Sequence, residues 1–371
     1  MKVLLVSPFS EKKVGGIGTW TRSVLDYCAT DKDVEIFFLN THFDLKRIIK
    51  GNFYVLKRIL IGSIDSLCIL LKLFYSMVIY MPDVVHYTSS ASFGLFKDQM
   101  AIFIIKVLFQ KKMVIHWHFG RIPELFVRCD RECIRFKKVH NHCDASIVLD
   151  IQSKNVMIEN GLDNIYVVPN AVTQSVSHIA EELDIDMIQN RRLFNNVLYV
   201  GHILPTKGVV ELVKACVSIE NVYLTMVGPD MLDIVGELRT IANKRDNGSW
   251  ITFTGELSRE EVLPYYMNCS IFCLPSYTEG FPYVILESMS FGCPIIATRV
   301  GAIPEMLSNR CGVIVESKNI IELRNAIKML LNKRDLALEL GRNANKKVIE
   351  EYSIETVFNA YKEIWSRVLW E

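Results

Sequence analysis

The sequence lacks a strong net charge. It has 371 residues, of which 42 are Lys or Arg and 41 are Asp or Glu, so the net charge is only +1. A nucleic-acid partner usually requires a denser basic stripe, and none is expected here. The charge is uneven, however: residues 1–172 hold 22 basic and 16 acidic side chains, whereas residues 173–371 hold 20 and 25. A first half of about +6 is compatible with contact to an anionic membrane surface.

Paired cysteine motifs and a signal peptide are also missing. The ten cysteines include no Cys-x-x-Cys pair, and the opening apolar run at residues 1–8 is too short for a signal peptide. We therefore expect a cytoplasmic protein with reduced thiols, acting at the inner face of the plasma membrane where it meets lipid. One cluster could ligate zinc: Cys129, Cys133, His140, His142 and Cys143. Its spacing matches no closed zinc module, so no metal is predicted.

One apolar run, Ile59 to Met81, is long enough to cross a bilayer. Asp65 and Lys72 interrupt it, and it lies between an opening strand and the probable strand Val84–Tyr87. We predict a helix that is buried in the first domain or lies against a membrane, rather than a transmembrane span.

Strand-like apolar runs alternate with helical stretches along the chain, which is typical of a parallel α/β sheet covered on both faces. No internal repeat or low-complexity tract interrupts this alternation. The first series of predicted strands comprises Val3–Val6, Glu35–Leu39, Val84–Tyr87, Met113–His116, Ala145–Leu149 and Tyr166–Val168. The second comprises Val197–Val200, Val222–Val227, Ile251–Thr254, Ile271–Leu274, Pro294–Ala297 and Gly312–Val315.

These series predict two Rossmann-like domains. Residues 1–172 form the first and residues 197–352 form the second. The polar segment 173–196 connects them, and residues 353–371 form a final helix. Ligands are expected at the carboxyl ends of the strands.

The most informative segment, residues 280–298, is almost wholly apolar but contains Glu287, and Glu279 stands just before it. A helix starting at Pro282 places Glu287 among apolar residues, where an unpaired carboxylate costs several kcal/mol or has a raised pKa. We interpret Glu287 as an acceptor of hydrogen bonds from two ribose hydroxyls; the alternative is an internal salt bridge, for instance to Arg299. Glu279 lies at the helix N-terminus, where the amides of Gly280 and Phe281 favour anions such as phosphate.

The block from Pro275 to Thr298 resembles the signature of the retaining glycosyltransferases of family 4, which have the GT-B fold. The resemblance continues through Val168–Val172, Tyr199–Gly208, Met226–Pro229, Phe253–Gly255 and Gly301–Glu305. It implies two Rossmann-like domains facing across a central cleft, the first on the acceptor side and the second binding the nucleotide sugar. The final helix, in residues 353–371, would then cross back to the first domain. The resemblance also implies retaining transfer from a UDP- or GDP-linked sugar to a glycan or lipid-linked glycan in cell-surface polysaccharide biosynthesis. No metal or other cofactor is implied.

The resemblance assigns roles in the second domain. Glu279 would contact hydroxyls of the donor sugar and Glu287 the ribose diol, with Ile285 and Leu286 nearby through their backbone. A cation such as Lys207 at a helix start opposes the helix dipole unless an anion is bound, which argues for contact with phosphate. The resemblance gives Lys207 this same role. His202, which donates only one hydrogen bond when neutral, stands where the family usually has an arginine.

Two further positions fall in the first domain. The glycines at 15, 16 and 18 follow the first strand without the full dinucleotide fingerprint. Gly16 would allow close backbone approach to the donor, or the glycines form an ordinary tight turn. His118 resembles the family's histidine near the donor sugar, or is a packed structural histidine, whereas His116 is expected in the core.

Other interpretations stay open at this point. Asp184 and Asp186 resemble a metal-binding aspartate pair, but they lie in the polar connection and are interpreted as solvated charges. A nucleotide-sugar epimerase or hydrolase, or a non-catalytic nucleotide-sugar-binding scaffold, would use similar domains. Loops such as Thr41–Phe53 and Thr88–Asp98 carry no pattern from which an acceptor can be predicted.

Overall fold

The computed structural model describes the backbone of residues 1–10, 16–42, 54–184 and 195–370. It describes their side chains as well, except at residues 54–61 and 93. The chain forms two units. Met1–Pro169 together with Val357–Glu371 make the first, and Asn170–Thr356 make the second. Each described unit contains one six-stranded sheet flanked by helices, so the α/β fold is as predicted.

The first unit has strands in the order β2-β1-β3-β4-β5-β6, all parallel. The strands are β1 (Lys2–Ser7), β2 (Glu35–Asn40), β3 (Val84–Ser89), β4 (Lys112–Trp117), β5 (Ala145–Val148) and β6 (Ile165–Val167). The helices between them are α1 (Gly16–Cys28), α2 (Tyr54–Tyr80), α3 (Leu95–Ile102), which continues as a π-helical segment (Phe103–Leu108), α4 (Ile122–Arg128), α5 (Arg131–His140) and α6 (Ile151–Glu159).

The second unit begins with helix α7 (Gln174–Glu182) and has the parallel strand order β12-β11-β10-β7-β8-β9. Its strands are β7 (Asn196–Val200), β8 (Tyr223–Val227), β9 (Ile251–Gly255), β10 (Ile271–Leu274), β11 (Ile295–Thr298) and β12 (Val313–Val315). Its other helices are α8 (Val209–Val217), α9 (Val235–Ala242), α10 (Arg259–Asn268), α11 (Tyr283–Ser290), α12 (Ile303–Met306), α13 (Ile320–Asn332) and α14 (Arg334–Glu351).

Every predicted strand is present, and the bounds differ by at most two residues. The reason is burial on both faces: β1, β4, β5 and β10 are almost wholly inaccessible to solvent, so their sequences are continuous apolar runs. The strand orders place a reversal between β1 and β3 in the first unit and between β7 and β10 in the second. At such a reversal the following helices pass to opposite faces of the sheet and leave a crevice at the carboxyl ends of the strands.

The connecting segments differ from their predictions in several places. The predicted connection 173–196 contains helix α7, which packs against α11 and α14 of the second unit, while residues 185–194, with Asp186, lie outside the described part. Helix α1 begins at Gly16 rather than near Trp20, and Gly15 is likewise not described. Most of the loop 41–53 also lies outside the described residues.

The last helix, α15 (Ile354–Trp370), completes the core of the first unit. Tyr361 and Trp365 are fully buried there, and the hydroxyl of Tyr361 accepts a hydrogen bond of 2.9 Å from the indole Nε1 of Trp20 on α1. On the same helix, Lys362 Nζ lies 2.8 Å from Asp31 Oδ2. A segment at the end of the chain thus supplies an acceptor to a buried donor near its beginning.

We expect Tyr361→Phe to destabilise the protein, because it leaves the buried indole N–H of Trp20 without its acceptor. The expected loss is about 1–3 kcal/mol in the free energy of unfolding, measured by urea denaturation. Tyr223→Phe, at a side chain that is 59% exposed, is the matched control and should change little. Equal stability of both variants would contradict a structural role for the Trp20–Tyr361 hydrogen bond.

Candidate functional site

The strand reversal of the second unit brings two predicted residues together. Lys207 ends a short 3-10 turn that follows β7, and Glu279 lies in the loop that follows β10. Lys207 Nζ is 2.7 Å from Glu279 Oε1, and Ser276 Oγ donates to the same oxygen at 2.6 Å. The cation at the start of α8 therefore has an intramolecular carboxylate as its counter-charge.

Backbone geometry at two glycines fixes the loops that carry this pair. Gly208 has φ +67°, and a Cβ there would collide with the carbonyl oxygen of Pro275. Gly301 has φ +53°, and a Cβ there would collide with the carbonyl oxygens of Glu279 and Gly280. The loops after β7, β10 and β11 thus approach one another at backbone distance, which only glycine permits at these two positions.

Glu287 is the second largely buried carboxylate of this unit. It lies in α11 with 13% of its side chain exposed. Arg259 Nη2 donates to its Oε1 at 2.6 Å, and the hydroxyl of Tyr266 donates to its Oε2 at 3.0 Å. Burial, and then the neighbouring carboxylate, raise the pKa of Tyr266, so it remains a neutral donor. Both carboxylate oxygens are consequently held in a fixed orientation.

Glu287 therefore forms an internal salt bridge. The prediction that Arg299 is its partner was wrong. Arg299 Nε instead donates to Glu316 Oε1 at 2.8 Å on the surface. The sequence pattern did not predict Arg259, Tyr266 and Ser276 as members of the site. A signal for the first was available: Ser258 and Glu261 form a capping box that begins α10, which places Arg259 in the first turn. A cation there opposes the helix dipole, the same argument that singled out Lys207.

The other predicted positions of this unit surround the pair. His202 is exposed, and its carbonyl accepts a 2.7 Å hydrogen bond from the hydroxyl of Tyr199, whose pKa is raised by burial and by Glu279. The carbonyl of Gly280 accepts from Ala302 N at 2.9 Å. Phe281 is buried, and its carbonyl lies 3.3 Å from Asn170 Nδ2.

The apolar side chains of Ile285 and Leu286 are fully buried in α11. They therefore belong to the packing of the helix. Contact of a ligand with the backbone of these two residues stays a prediction.

His118 belongs to the first unit, just beyond β4. Its ring lies 4.8 Å from the Trp20 ring and 4.1 Å from the His116 ring, measured between centroids. Its Nε2 atom is buried and, among the described residues, has no hydrogen-bond partner. Burial lowers the pKa of His118 to about 3, so the ring is neutral at physiological pH.

His116 is fully buried, as predicted, in a relay that fixes its proton. Trp365 Nε1, which can only donate, lies 3.0 Å from His86 Nδ1. The proton of neutral His86 must then be on Nε2, which is 3.2 Å from His116 Nδ1. By the same reasoning His116 carries its proton on Nε2, an atom that is buried and unpartnered within the described residues.

Gly16 and the candidate zinc cluster complete the sequence-based list. Gly16 opens α1, and a Cβ built on it would meet no atom within 4 Å in the described residues. His140 Nδ1 is 2.7 Å from Ser146 Oγ, and His142 Nδ1 is 2.7 Å from the Lys138 carbonyl. In the described ranges no three His, Cys, Asp or Glu side chains are grouped to hold a metal ion.

Comparison with known proteins gives this geometry a context. Residues 187–347 match the family described as glycosyl transferases group 1, so this segment carries a glycosyltransferase group 1 domain. An uncharacterized glycosyltransferase of Methanocaldococcus jannaschii is 30% identical over 233 residues, 62% of each chain. The Campylobacter jejuni N,N'-diacetylbacillosaminyl-diphospho-undecaprenol alpha-1,3-N-acetylgalactosaminyltransferase is 27% identical over 176 residues, 47% of this chain and 45% of that one. The chain thus spans less than two thirds of these relatives.

Solved structures extend the likeness to almost the whole chain. The Anabaena protein HepE, solved in complex with UDP, matches 99% of this chain and 100% of its own with a TM-score of 0.71 at 16% sequence identity. At that identity the likeness concerns the fold, and the fold is GT-B.

The buried, neutral histidine predicts a pH-dependent stability. His118 has a pKa of about 3 in the folded protein but about 6.5 when unfolded, so below pH 6.5 the unfolded chain binds a proton that the folded chain does not. The contribution of neutral His118 to the free energy of unfolding is therefore fully present above pH 6.5 and decreases as the pH falls. We expect His118→Asn to reduce the pH slope of the unfolding free energy by about 1.4 kcal/mol per pH unit at pH 4.5–5.5.

Urea denaturation at several pH values measures this slope. The control is Met231→Gln, at an exposed side chain without an ionisable group, which should keep the slope of the wild type. An unchanged slope in His118→Asn would show that His118 is accessible to protons in the folded protein.

Proposed function

We propose that the chain, which carries a glycosyltransferase group 1 domain in a GT-B fold, is a retaining, metal-independent glycosyltransferase. The donor is a nucleoside-diphosphate sugar, UDP- or GDP-linked, and no cofactor is needed. The acceptor is a glycan or a lipid-linked glycan in cell-surface polysaccharide biosynthesis. The observation that carries the proposal is the pair of carboxylate–cation contacts, Lys207–Glu279 and Arg259–Glu287, beside the strand reversal of the second unit.

Charge explains why both carboxylates have cations. A diphosphate is anionic, and two bare glutamates would repel it from the crevice. Lys207 and Arg259 offset the two negative charges, so the region can accept an anion. Among the described residues both hydrogen bonds to Glu279 end on Oε1. We infer that the diphosphate of the donor takes Lys207 as its partner and that Glu279 then accepts hydrogen bonds from hydroxyls of the donor sugar.

Glu287 suits the recognition of a ribose diol. An ionised carboxylate offers about four lone-pair positions, and Arg259 and Tyr266 occupy one on each oxygen. Two neighbouring hydroxyls can use the remaining positions, and the carboxylate is already oriented, so little conformational entropy is lost on binding. The buried helix around it, with Ile285 and Leu286, keeps the backbone of α11 in place.

In the transfer step the bond between the anomeric carbon and the phosphate oxygen breaks, and a bond to the acceptor oxygen forms on the same face. The acceptor proton passes to the leaving diphosphate. Lys207 and the amides at the start of α11, near Gly280 and Phe281, stabilise the charge that develops on the diphosphate, a contribution on the order of several kcal/mol per essential group. His202 contributes one hydrogen bond where the resembled family has an arginine.

Residues of the first unit complete the proposed set. The buried Nε2 atom of neutral His118 has no hydrogen-bond partner among the described residues and suits a hydrogen bond with the donor sugar. A Cβ built on Gly16 meets no described atom within 4 Å, which supports approach of the donor to the backbone at the start of α1. The name of the Campylobacter relative, which specifies a diphospho-undecaprenol-linked acceptor, supports a lipid-linked acceptor. With such an acceptor, the proposed place of action is the cytoplasmic face of the membrane. The UDP complex of HepE supports a uridine nucleotide.

Binding of UDP, GDP and ADP by isothermal titration calorimetry tests the donor site. We expect selective binding of one nucleotide and, for Glu287→Ala, a Kd raised by about ten- to a hundredfold, since two hydrogen bonds to a charged group are lost. Glu316→Ala removes a carboxylate that pairs with an arginine on the surface of the same unit, so it is the matched control and should bind as the wild type does. No binding of any nucleotide would contradict the proposed donor site.

Glu279→Gln separates catalysis from nucleotide binding. Because Glu279 is proposed to contact the sugar and not the nucleotide, we expect kcat to fall on the order of a hundredfold while the Kd of the nucleotide changes less than about threefold. Turnover of the matching nucleotide sugar is measured with and without acceptor. Equal rates without acceptor would identify a hydrolase, and wild-type kinetics in this variant would remove Glu279 from the site.

A further inference from the structure

Helix α2 presents apolar side chains on two opposite sides. One side, with Ile69, Leu73 and Met77, is buried in the core of the first unit. The other side is exposed and, at the spacing of successive helical turns, carries Ile64, Leu67, Leu71, Phe74 and Val78. Only 28% of the segment Gly62–Tyr80 is buried, although this segment is long and apolar enough to cross a bilayer. A surface helix normally has charged or polar residues on its outer side.

The exposed apolar surface extends beyond α2. Helix α2 packs against α3 and the π-helical segment, and the Phe74 and Phe109 rings are 5.3 Å apart. The neighbouring segment exposes Phe96, Met100, Phe103 and Val107, each at 48% or more of its surface. We call this surface, formed by the outer sides of α2, α3 and the π-helical segment, the apolar face. Soluble monomers rarely expose contiguous apolar areas of this extent unless they bind something there.

Cations border the apolar face. The outer side of α5 carries Arg131, Arg135 and Lys138, with Ile134 exposed among them. Arg135 connects the two surfaces, because its guanidinium carbon lies 5.4 Å from the centre of the Phe96 ring of α3. Lys72 adds an exposed cation on α2 itself. An apolar area beside a helix of net positive charge matches the acyl and anionic headgroup layers of a membrane.

We propose that the apolar face, with the basic outer side of α5, docks the chain on the surface of a bilayer containing anionic phospholipid. Helix α2 lies in the plane of the interface, since its inner side is packed against the sheet and cannot leave the core. A second copy of the chain is a poorer occupant, because two copies of this surface would bring net positive charge against net positive charge. A chain docked in this way lies close to an acceptor that is anchored in the lipid. This point alone rests on the proposed function.

Co-sedimentation with lipid vesicles tests the docking without donor or acceptor. The vesicles are phosphatidylcholine alone, or phosphatidylcholine with about one third phosphatidylglycerol. We expect binding to the anionic vesicles, at least tenfold weaker binding to the neutral ones, and loss of binding as NaCl is raised from about 0.05 to 0.5 M. Equal binding to both vesicle types, or binding to neither, would overturn the proposal.

Two variants locate the contact. Leu67→Gln with Leu71→Gln changes side chains that are 58% and 62% exposed, so folding should be unaffected, and vesicle binding should fall at least tenfold. Met231→Gln with Leu232→Gln, at 54% and 64% exposure in the second unit, is the matched control and should bind vesicles as the wild type does. Equal loss in both double variants would overturn the assignment to this surface.

The charged rim and the second-copy alternative have their own measurements. Arg131→Gln with Arg135→Gln should weaken binding to anionic vesicles several-fold and reduce its salt dependence. A wild-type dimer in analytical ultracentrifugation that becomes a monomer in Leu67→Gln with Leu71→Gln, together with absence of vesicle binding, would overturn lipid as the occupant. Nucleotide binding by the same double variant should be unchanged, so failure of the docking and failure of the donor site are distinguishable.

Discussion

The candidate site depends on one electrostatic constraint: carboxylates that are largely removed from water need cations close by. Glu279 and Glu287 satisfy it with Lys207 and Arg259, at 2.7 and 2.6 Å. Lys207 follows β7 and Glu279 follows β10, and the strand order sets these two strands side by side. Arg259 follows the edge strand β9, and its guanidinium meets Glu287 on the neighbouring helix α11. Gly208 and Gly301 allow the loops after β7, β10 and β11 to approach at backbone distance.

Sequence patterns predicted the twelve strands well because the strands in the middle of each sheet are buried on both faces, which leaves a continuous apolar run. They also predicted Lys207, Glu279 and Glu287 as site residues, from charges in apolar or helix-terminal settings. They did not predict the pairing. Arg259 is 28 residues from Glu287 and Tyr266 is 21, and such contacts depend on the strand order. Arg299, closer in sequence, pairs with Glu316 because β11 and β12 are neighbours.

The first unit illustrates a second limit of sequence reasoning. A histidine beyond a strand end could be predicted, but its protonation could not. The proton positions of His86 and His116 are set by Trp365, an indole 279 residues after His86 in the chain. Helix α15 therefore contributes more than packing: it fixes which nitrogen atoms of the buried histidines carry protons. The neutral state of His118 follows from the same burial, and a neutral ring can be either donor or acceptor toward a sugar hydroxyl.

Helix α2 is the clearest case in which composition and structure answer different questions. Its sequence is mostly apolar, and composition alone fits a core helix, a transmembrane span or a helix at a membrane surface. In the structure the side with Leu73 forms part of the core of the first unit, and only 28% of the segment Gly62–Tyr80 is buried. The uneven charge of the sequence then has a structural counterpart, since Arg131, Arg135 and Lys138 collect on one side of α5 beside Phe96. The surface that is apolar in its middle and cationic at its rim lies on the first unit, whereas the two carboxylate–cation pairs lie on the second. The proposed membrane contact and the proposed donor site therefore belong to different units of the chain.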